Sequence, residues 1–311
     1  MPELPEVQTT VNGLNTRVRG MTITDVWTDY KSRFHRGKDN INDPKFFKKF
    51  EKAIIGAKIL KAERRGKNIL IHLSNGQTVL IHMKMTGHVM VGKYKKLAKK
   101  DHQGEWWRPE DPDNEALNDP FNRFIHLVFT LSDGRHVVLS DMRKFAKATV
   151  VETRALHESE HLSTHGPEPL ESGFDATALR AAAMRRPKGK IKQVLMDHTV
   201  LSGVGNIYSD EILWGAAVHP LSIVSKIPEK KWNEIYSALI ATLKKGIDFG
   251  GDSMSDYRDI DGKRGKFQAQ HNAYRKTGER CGKRGCRGTI NRIKLGGRSG
   301  HFCDTHQKLY T

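Results

Sequence analysis

Apolar positions divide the chain into three regimes. Val7, Val11, Leu14 and Val18 recur at spacings of four, three and four, the period of one buried helix face. Residues 5–19 therefore read as an amphipathic helix, with Gly20 as its stop. From there to about residue 152 the period shortens. Lys58–Arg65, Asn68–Leu73 and Thr78–Met83 alternate or run apolar, and Ser74-Asn75-Gly76 supplies a turn between the last two. Phe124–Leu131 and Arg135–Ser140 flank Ser132-Asp133-Gly134 in the same way. Between the two strand groups lies a polar stretch, Lys93–Asn122, carrying Lys95-Lys96, Lys99-Lys100 and Trp106-Trp107. It reads as a long loop, and as a tolerated surface insertion in preference to a functional gripping element. His165-Gly166-Pro167-Glu168-Pro169 has the composition of a linker. After it the helical period returns in Ala176–Arg185, Ile191–His198, Ile207–Trp214 and Glu229–Phe249, and Gly250-Gly251 ends it. The last segment is basic and glycine-rich, with too little apolar content for a core of its own. Thr289–Leu295 and Ser299–Phe302, around Gly296-Gly297, can form a hairpin.

Charge narrows the partner. The chain has 53 Lys and Arg against 35 Asp and Glu, a formal charge of +18. Residues 258–311 hold fourteen of the bases and four of the acids. A surplus this large and this uneven points to a polyanion, and nucleic acid is the usual one. No stretch approaches the roughly 20 apolar residues of a membrane span. The Met-Pro-Glu start carries no signal core, so the expectation is a soluble, cytoplasmic protein without a membrane partner.

Three cysteines, Cys281, Cys286 and Cys303, crowd one end of the chain. An odd number so placed argues for a metal rather than disulfides. With His306 they form two pairs, Cys281-x4-Cys286 and Cys303-x2-His306, at the spacing of structural zinc sites. A zinc ion would supply folding energy that the tail cannot obtain by burial, and four protein ligands leave no open position for hydrolysis. His301 and His271 are rivals for the fourth place. Upstream, Leu201-Ser202-Gly203-Val204-Gly205-Asn206 sits between two helices. Its glycines allow close backbone approach, Asn206 can cap the following helix, and free N–H groups at such a start bind phosphate. Lys188, Lys190 and Lys192 would add charge to the same track.

The start, Pro2-Glu3-Leu4-Pro5-Glu6-Val7, is unusual. Pro5 and Glu6 suit a first helical turn, but a capped helix leaves Pro2-Glu3 unexplained. Trimming of Met1 before the small Pro2 exposes a secondary amine. A chain-terminal amine, with a reference pKa of about 7.7–8.0, is partly neutral and nucleophilic near pH 7. Attack on a sugar C1′ gives an iminium ion, an electron sink, and adjacent carboxylates can move the protons.

At this point the blocks resemble one family in order. Pro2–Val7 resembles the N-terminus of formamidopyrimidine-DNA glycosylases, relatives of endonuclease VIII. Arg64-Arg65-Gly66-Lys67 resembles their lysine-bearing strand end, and His82–Gly87 their methionine segment. Asp141-Met142-Arg143-Lys144-Phe145 resembles their intercalation loop. His165–Leu170 and Leu195–Glu211 resemble the helix-two-turn-helix region, Gly250–Ala273 the segment closing over an extruded base, and the tail the zinc finger.

The resemblance implies an α+β multidomain fold. An N-terminal β-sandwich with a leading helix would span 1–152, and a linker 153–172. A helix-two-turn-helix domain would span 173–250, a base-capping segment 251–272 and a zinc-finger hairpin 273–311. It implies a bifunctional glycosylase and abasic-site lyase acting on oxidised purines in double-stranded DNA, as a nucleoid-associated monomer with one structural zinc. Pro2 would be the nucleophile, Glu3 the general acid and Glu6 a supporting carboxylate. Lys67 would hold a phosphate. Met85, Arg143 and Phe145 would fill the space of the flipped base. Lys192, Asn206 and Arg298 would grip backbone phosphates, and Glu211 would support the glycine turn. Taken singly, a strand-end lysine is solvated and Met85 or Phe145 is core; the ordered context reverses those readings.

The last ligand departs from the family's four cysteines, because His306 stands where a cysteine is expected. An oxidised-pyrimidine specificity of the endonuclease VIII type is the nearest alternative activity. The full-length 253–269 segment and the Met85, Arg143 and Phe145 set favour the oxidised-purine branch. A non-catalytic damaged-DNA-binding protein is the nearest alternative class, and Pro2 with Glu3 argues against it.

Overall fold

The leading helix forms where the period places it. In a computed structural model of the chain, α1 (Leu4–Arg17) buries Val7, Val11 and Leu14, with Val18 buried just beyond its end. Pro5 sits in the first turn, where its missing N–H leaves no bond unmade. Gly20 then turns the chain at φ +86°. The described residues are 1–30, 37–254 and 256–311; Ser255, within the expected capping segment, lies outside them.

Two units divide the chain. The first is Met1–Ser163 with Phe249–Lys266, and the second is Thr164–Asp248 with Phe267–Thr311. After α1 the first unit contains β1 (Ile23–Thr28), α2 (Pro44–Ile54), β2 (Ile59–Arg65), β3 (Asn68–Leu73) and β4 (Gln77–His82). It continues with β5 (His88–Gly92), β6 (Tyr94–Lys96), β7 (Trp107–Pro109), β8 (Ile125–Leu131), β9 (His136–Ser140) and β10 (Lys147–Glu152). Two antiparallel four-stranded sheets result, ordered β1-β8-β9-β5 and β10-β4-β3-β2. Alternate residues of both, such as Leu127, Phe129 and Leu131 from one and Ile69, Ile71 and Leu73 from the other, share one core. This is the expected β-sandwich.

The outer faces are covered as well, which is why the strands run apolar instead of alternating strictly. Leu70 and Leu80 pack with Leu156 and Leu162. Met90, Val128 and Val138 pack with Tyr94, Trp107 and Leu117. Those last three belong to the 93–122 stretch, so the expectation of a long loop there is corrected. Strands β6 and β7 pair as a hairpin, and Trp107, 7% exposed, meets Trp27 edge-on at 5.7 Å. Trp107 is therefore core and not a surface grip.

Helix α2 escaped the periodicity, although its start carries a signal. Asp43 accepts the N–H groups of Lys45 and Phe46 at 2.7 and 2.8 Å, and Pro44 occupies the first turn.

The second unit contains α3 (Ala176–Ala183), α4 (Ile191–Met196), α5 (Asn206–Gly215), α6 (Glu229–Asp248), β11 (Ile290–Leu295) and β12 (Arg298–Cys303). Helix α4 stops two residues short of expectation because Asp197 captures the N–H and hydroxyl of Thr199 at 2.9 and 2.7 Å. The Gly296-Gly297 turn takes φ +55° and +76°, which matches the twist of the hairpin strands β11 and β12. Among the described residues no helix is long and apolar enough to cross a membrane.

Candidate functional site

The N-terminus is built around Glu6. Its carboxylate accepts the N–H of Glu3 at 2.7 Å through one oxygen and the N–H of Asp252 at 2.7 Å through the other. The Tyr257 hydroxyl donates to the Glu6 carbonyl at 3.0 Å. Gly251, at φ +84°, lies so close that a Cβ there would stand 2.8 Å from Glu6 Cγ. Glu6 thus fastens the chain start to Gly251, Asp252 and Tyr257. Pro2, Glu3 and Glu6 are all buried.

Burial holds the Met1 amine below its ordinary value of 8.0. Glu3 and Glu6 oppose that shift, and the Lys67 charge adds to it. Amine, carboxylates and Lys67 form one electrostatic neighbourhood. Removal of Met1 moves the amine one residue along, onto Pro2. Lys67 owes its place to the two-residue turn between β2 and β3, where Gly66 supplies φ +58°. A partly deprotonated amine beside carboxylates and a fixed cation can act as a nucleophile with proton carriers at hand.

Two loops in the same unit carry Met85, Arg143 and Phe145. Asp141, wholly buried, ties them together. It accepts the Thr86 hydroxyl on one oxygen, and the Ala146 N–H at 2.7 Å and Tyr30 hydroxyl at 3.2 Å on the other. The Arg143 N–H donates to the Thr86 hydroxyl oxygen at 3.1 Å. Lys84 and Lys144 both sit at φ +54°, a strained turn in each loop. Met85 is half-buried and Arg143 exposed. Phe145 is 48% exposed, with the Arg143 guanidinium 4.5 Å over its ring. Phe145 is therefore not core: the clamped loop holds its ring out in solvent. Asp141 went unrecognised in the sequence as the clamp, because its partner Thr86 is 55 positions away.

In the second unit the expectation for Lys192 is corrected. Its side chain is 1% exposed, and its ammonium donates to the Asn206 carbonyl at 3.1 Å, Ser209 Oγ at 2.8 Å and Asp210 at 2.7 Å. Three N–H groups meet three acceptors, so none is left for a phosphate. Asp210 also accepts the N–H of His301 at 3.0 Å, and its imidazole Nδ1 lies 2.8 Å away. Lys192 therefore joins α4 to α5 and, through Asp210, to β12. Its neighbours Lys188 and Lys190 are the exposed charges. Asn206 is the first residue of α5 and not its cap, which is Gly205. Its side-chain oxygen has no hydrogen-bond partner among the described residues. Arg298 is exposed at the start of β12. Glu211 supports a different segment from the glycine turn: it takes the N–H groups of Asn272, Ala273 and Tyr274 at 2.8–2.9 Å.

Cys281, Cys286, Cys303 and His306 bring one ligand atom each to within 4.8 Å of one another. Cys286 and Cys303 sulfurs are 3.6 Å apart, and Cys281 Sγ is 3.3 Å from His306 Nδ1. A tetrahedral ion with bonds of about 2.3 Å to sulfur and 2.0–2.1 Å to nitrogen requires edges of roughly 3.5–3.8 Å. The spacing fits a metal ion. His306 Nε2 lies 3.1 Å from the Trp214 carbonyl, an arrangement that fixes the ring and turns Nδ1 toward the cluster. His301, the rival ligand, is occupied by Asp210.

Comparison with known proteins agrees with this geometry. Residues 1–148 match the model of the formamidopyrimidine-DNA glycosylase N-terminal domain, and 165–258 match that of the formamidopyrimidine-DNA glycosylase H2TH domain. The formamidopyrimidine-DNA glycosylase of Heliobacterium modesticaldum is 34% identical over 308 residues, covering 99% of this chain and 100% of its own. That of Desulforamulus reducens is 32% identical over 310 residues, 99% of each chain. A solved complex of Lactococcus lactis Fpg with abasic-site DNA has a TM-score of 0.79 at 27% identity, covering 98% of this chain and 99% of that one. A complex of the same enzyme with DNA containing FAPY-dG has a TM-score of 0.78 at 28% identity, covering 98% and 100%.

Proposed function

This chain belongs to the formamidopyrimidine-DNA glycosylase family, DNA-binding glycosylases of DNA repair, and from that premise we propose that it excises oxidised purines and then cuts the strand. The substrates are 8-oxoguanine and formamidopyrimidines in double-stranded DNA. The observation that carries the reading is the buried chain start, where Pro2 stands beside the hydrogen-bonded pair Glu3 and Glu6 and the adjoining Met1 amine feels Glu3, Glu6 and Lys67.

After loss of Met1, the Pro2 nitrogen attacks C1′ as the bond from C1′ to the base breaks. The proton shed by the nitrogen leaves with the base. Glu3 protonates the ring oxygen, the C1′–O4′ bond opens, and an iminium forms. That iminium acidifies the C2′ proton, whose loss expels the 3′ phosphate. A second elimination expels the 5′ phosphate, and hydrolysis frees Pro2. Glu6, whose oxygens hold the Glu3 and Asp252 N–H groups, positions this machinery. Lys67 holds the phosphate beside the lesion. Met85, Arg143 and Phe145 occupy the vacated stack, which offsets the few kcal/mol of extruding the base. The 251–272 segment, whose residues up to Lys266 belong to the first unit, covers the extruded base. Asn206 and Arg298 hold other phosphates.

One zinc ion, held by Cys281, Cys286, Cys303 and His306, would stabilise the hairpin that carries Arg298; it supplies folding energy and no step of the reaction. The enzyme acts as a monomer, in the cytoplasm on the nucleoid.

Borohydride trapping on abasic-site DNA tests the reading. The trimmed chain should yield a covalent adduct, and chains with Met1 retained or with Pro2→Gly should yield little or none. Equal trapping by the Met1-retained chain would overturn the assignment of the nucleophile. Faster release of thymine glycol than of 8-oxoguanine would overturn the substrate.

A further inference from the structure

The 93–122 insertion has a second contact besides the sheet it covers. Arg258, from the 249–266 segment, is 1% exposed, and its guanidinium grips the Asp119 carboxylate through Nε at 3.1 Å and Nη2 at 3.0 Å. It also lies 4.9 Å over the ring of Phe121 and donates to the Tyr257 carbonyl at 2.9 Å. Asn122 donates to the Gly262 carbonyl at 3.0 Å and to the Ala116 carbonyl at 2.7 Å, while its own oxygen lies 2.8 Å from His88 Nε2. Gly262, at φ +80°, comes so close that a Cβ would meet the Ala116 oxygen at 2.8 Å. Two neighbours add to the seat: the Val91 N–H donates to the Ile260 carbonyl at 2.8 Å, and Arg17 pairs with Asp261 at 2.7 Å.

The segment is thus a closed loop with two anchorages. Its neck is shut by the Lys266 N–H on the Phe249 carbonyl at 2.8 Å. Its first limb sits on Glu6 through Asp252 and Gly251, and its second limb sits on the insertion. Met254 stands between them, 39% exposed. Covering a sheet needs only Tyr94, Trp107 and Leu117. It does not need a bidentate ion pair that carries a buried guanidinium from another segment, since such a charge is costly whenever its partner is absent.

We propose that the 93–122 insertion is a brace that sets the position of the 249–266 loop against the N-terminal amine, with Asp119 and Arg258 as positioning residues for base release. The proposal rests on the reading that this loop covers the extruded base. An abasic site has no base to cover, so the brace acts on excision and not on cleavage at a site already abasic.

The test is Asp119→Asn. Excision of 8-oxoguanine from duplex DNA should fall about 10- to 100-fold, the scale of a misplacement near 1 Å. Cleavage of abasic-site DNA should continue at its wild-type rate. Amide exchange across Tyr257–Gly262 should quicken, and Asp119→Glu should restore most of the excision. If excision and abasic-site cleavage fall together, the ion pair only stabilises the fold and the proposal fails. It fails equally if amide exchange is unchanged, whatever the activities. A wild-type chain that cannot cleave abasic-site DNA would instead sink the proposed function, and the exchange measurement would still judge the brace.

Discussion

Lys67 and Lys192 are the same residue type. Each stands beside a glycine-bearing turn, and each is expected from its motif to hold a phosphate. The fold treats them oppositely. Lys67 occupies a two-residue turn between strands, half-buried, with its charge felt at the chain-terminal amine. Lys192 sits in the first turn of α4, where Asp210 and Ser209 of α5 and the Asn206 carbonyl match its three N–H groups. All three Lys192 donors are met inside the second unit, whereas the Lys67 charge acts on the amine at the chain start. A lysine whose donors are all met inside the protein is a structural tie, whatever its motif suggests.

The largest expected effect tests that tie. Lys192→Met leaves the Asp210 carboxylate, wholly buried, without its cation, and should cost about 3–5 kcal/mol of unfolding free energy. Lys67→Met, which strands no wholly buried carboxylate, should cost less. Urea unfolding of both variants measures the contrast, and equal midpoints would remove it. His88 shows a second way to bury a basic group. It is 1% exposed, and burial pushes its pKa down to about 4, so it sits inside the first unit neutral instead of paired. Below about pH 6.5 the unfolded chain takes up a proton that the folded chain refuses until about pH 4. Stability should therefore fall by about 3 kcal/mol from this group as pH drops through that window, and level off below it. Against His88→Gln, which does not titrate, the wild type should lose that much more between pH 7 and pH 4. Parallel pH curves would show that His88 is protonated inside the fold.

Much of this was legible in the sequence, and for definite reasons. Helix α1 has an unbroken apolar period, the hairpins have glycine turns, and Cys281, Cys286, Cys303 and His306 converge as their spacing suggests. What escaped was carried by partners distant along the chain. Asp141 clamps the two loops only because Thr86 folds onto it from 55 positions away. Lys192 is buried only because α5 delivers Asp210 18 positions on. The 93–122 stretch hides its order differently. Strands β6 and β7 have three residues each, with Lys95, Lys96 and Arg108 exposed, so neither is long enough to show a period. Its buried members, Tyr94, Trp107 and Leu117, are scattered among charges.

On activity, Lys67→Met should lower both excision and borohydride trapping about 10- to 100-fold at unchanged stability, as expected for loss of a fixed cation beside the reacting sugar. Full activity would reduce Lys67 to the solvated strand-end charge that its local sequence first suggests.

The smallest effect sharpens the contrast between exposed and buried cations most directly. An exposed charge that contacts a phosphate releases counterions when DNA binds, and each such contact adds about 0.9 to the slope of log affinity against log salt. Arg298, exposed at the tip of the Gly296-Gly297 hairpin, is the residue proposed to make such a contact; Lys192, with no free donor, is not. Arg298→Ala should therefore weaken binding to undamaged and damaged duplexes alike and flatten the salt slope by about one. Lys192→Met, assayed where it is still folded, should leave the slope at its wild-type value. A slope that drops equally in both variants would mean that the Lys192 ammonium leaves Asp210 to reach DNA, and the distinction between tie and contact would fall with it.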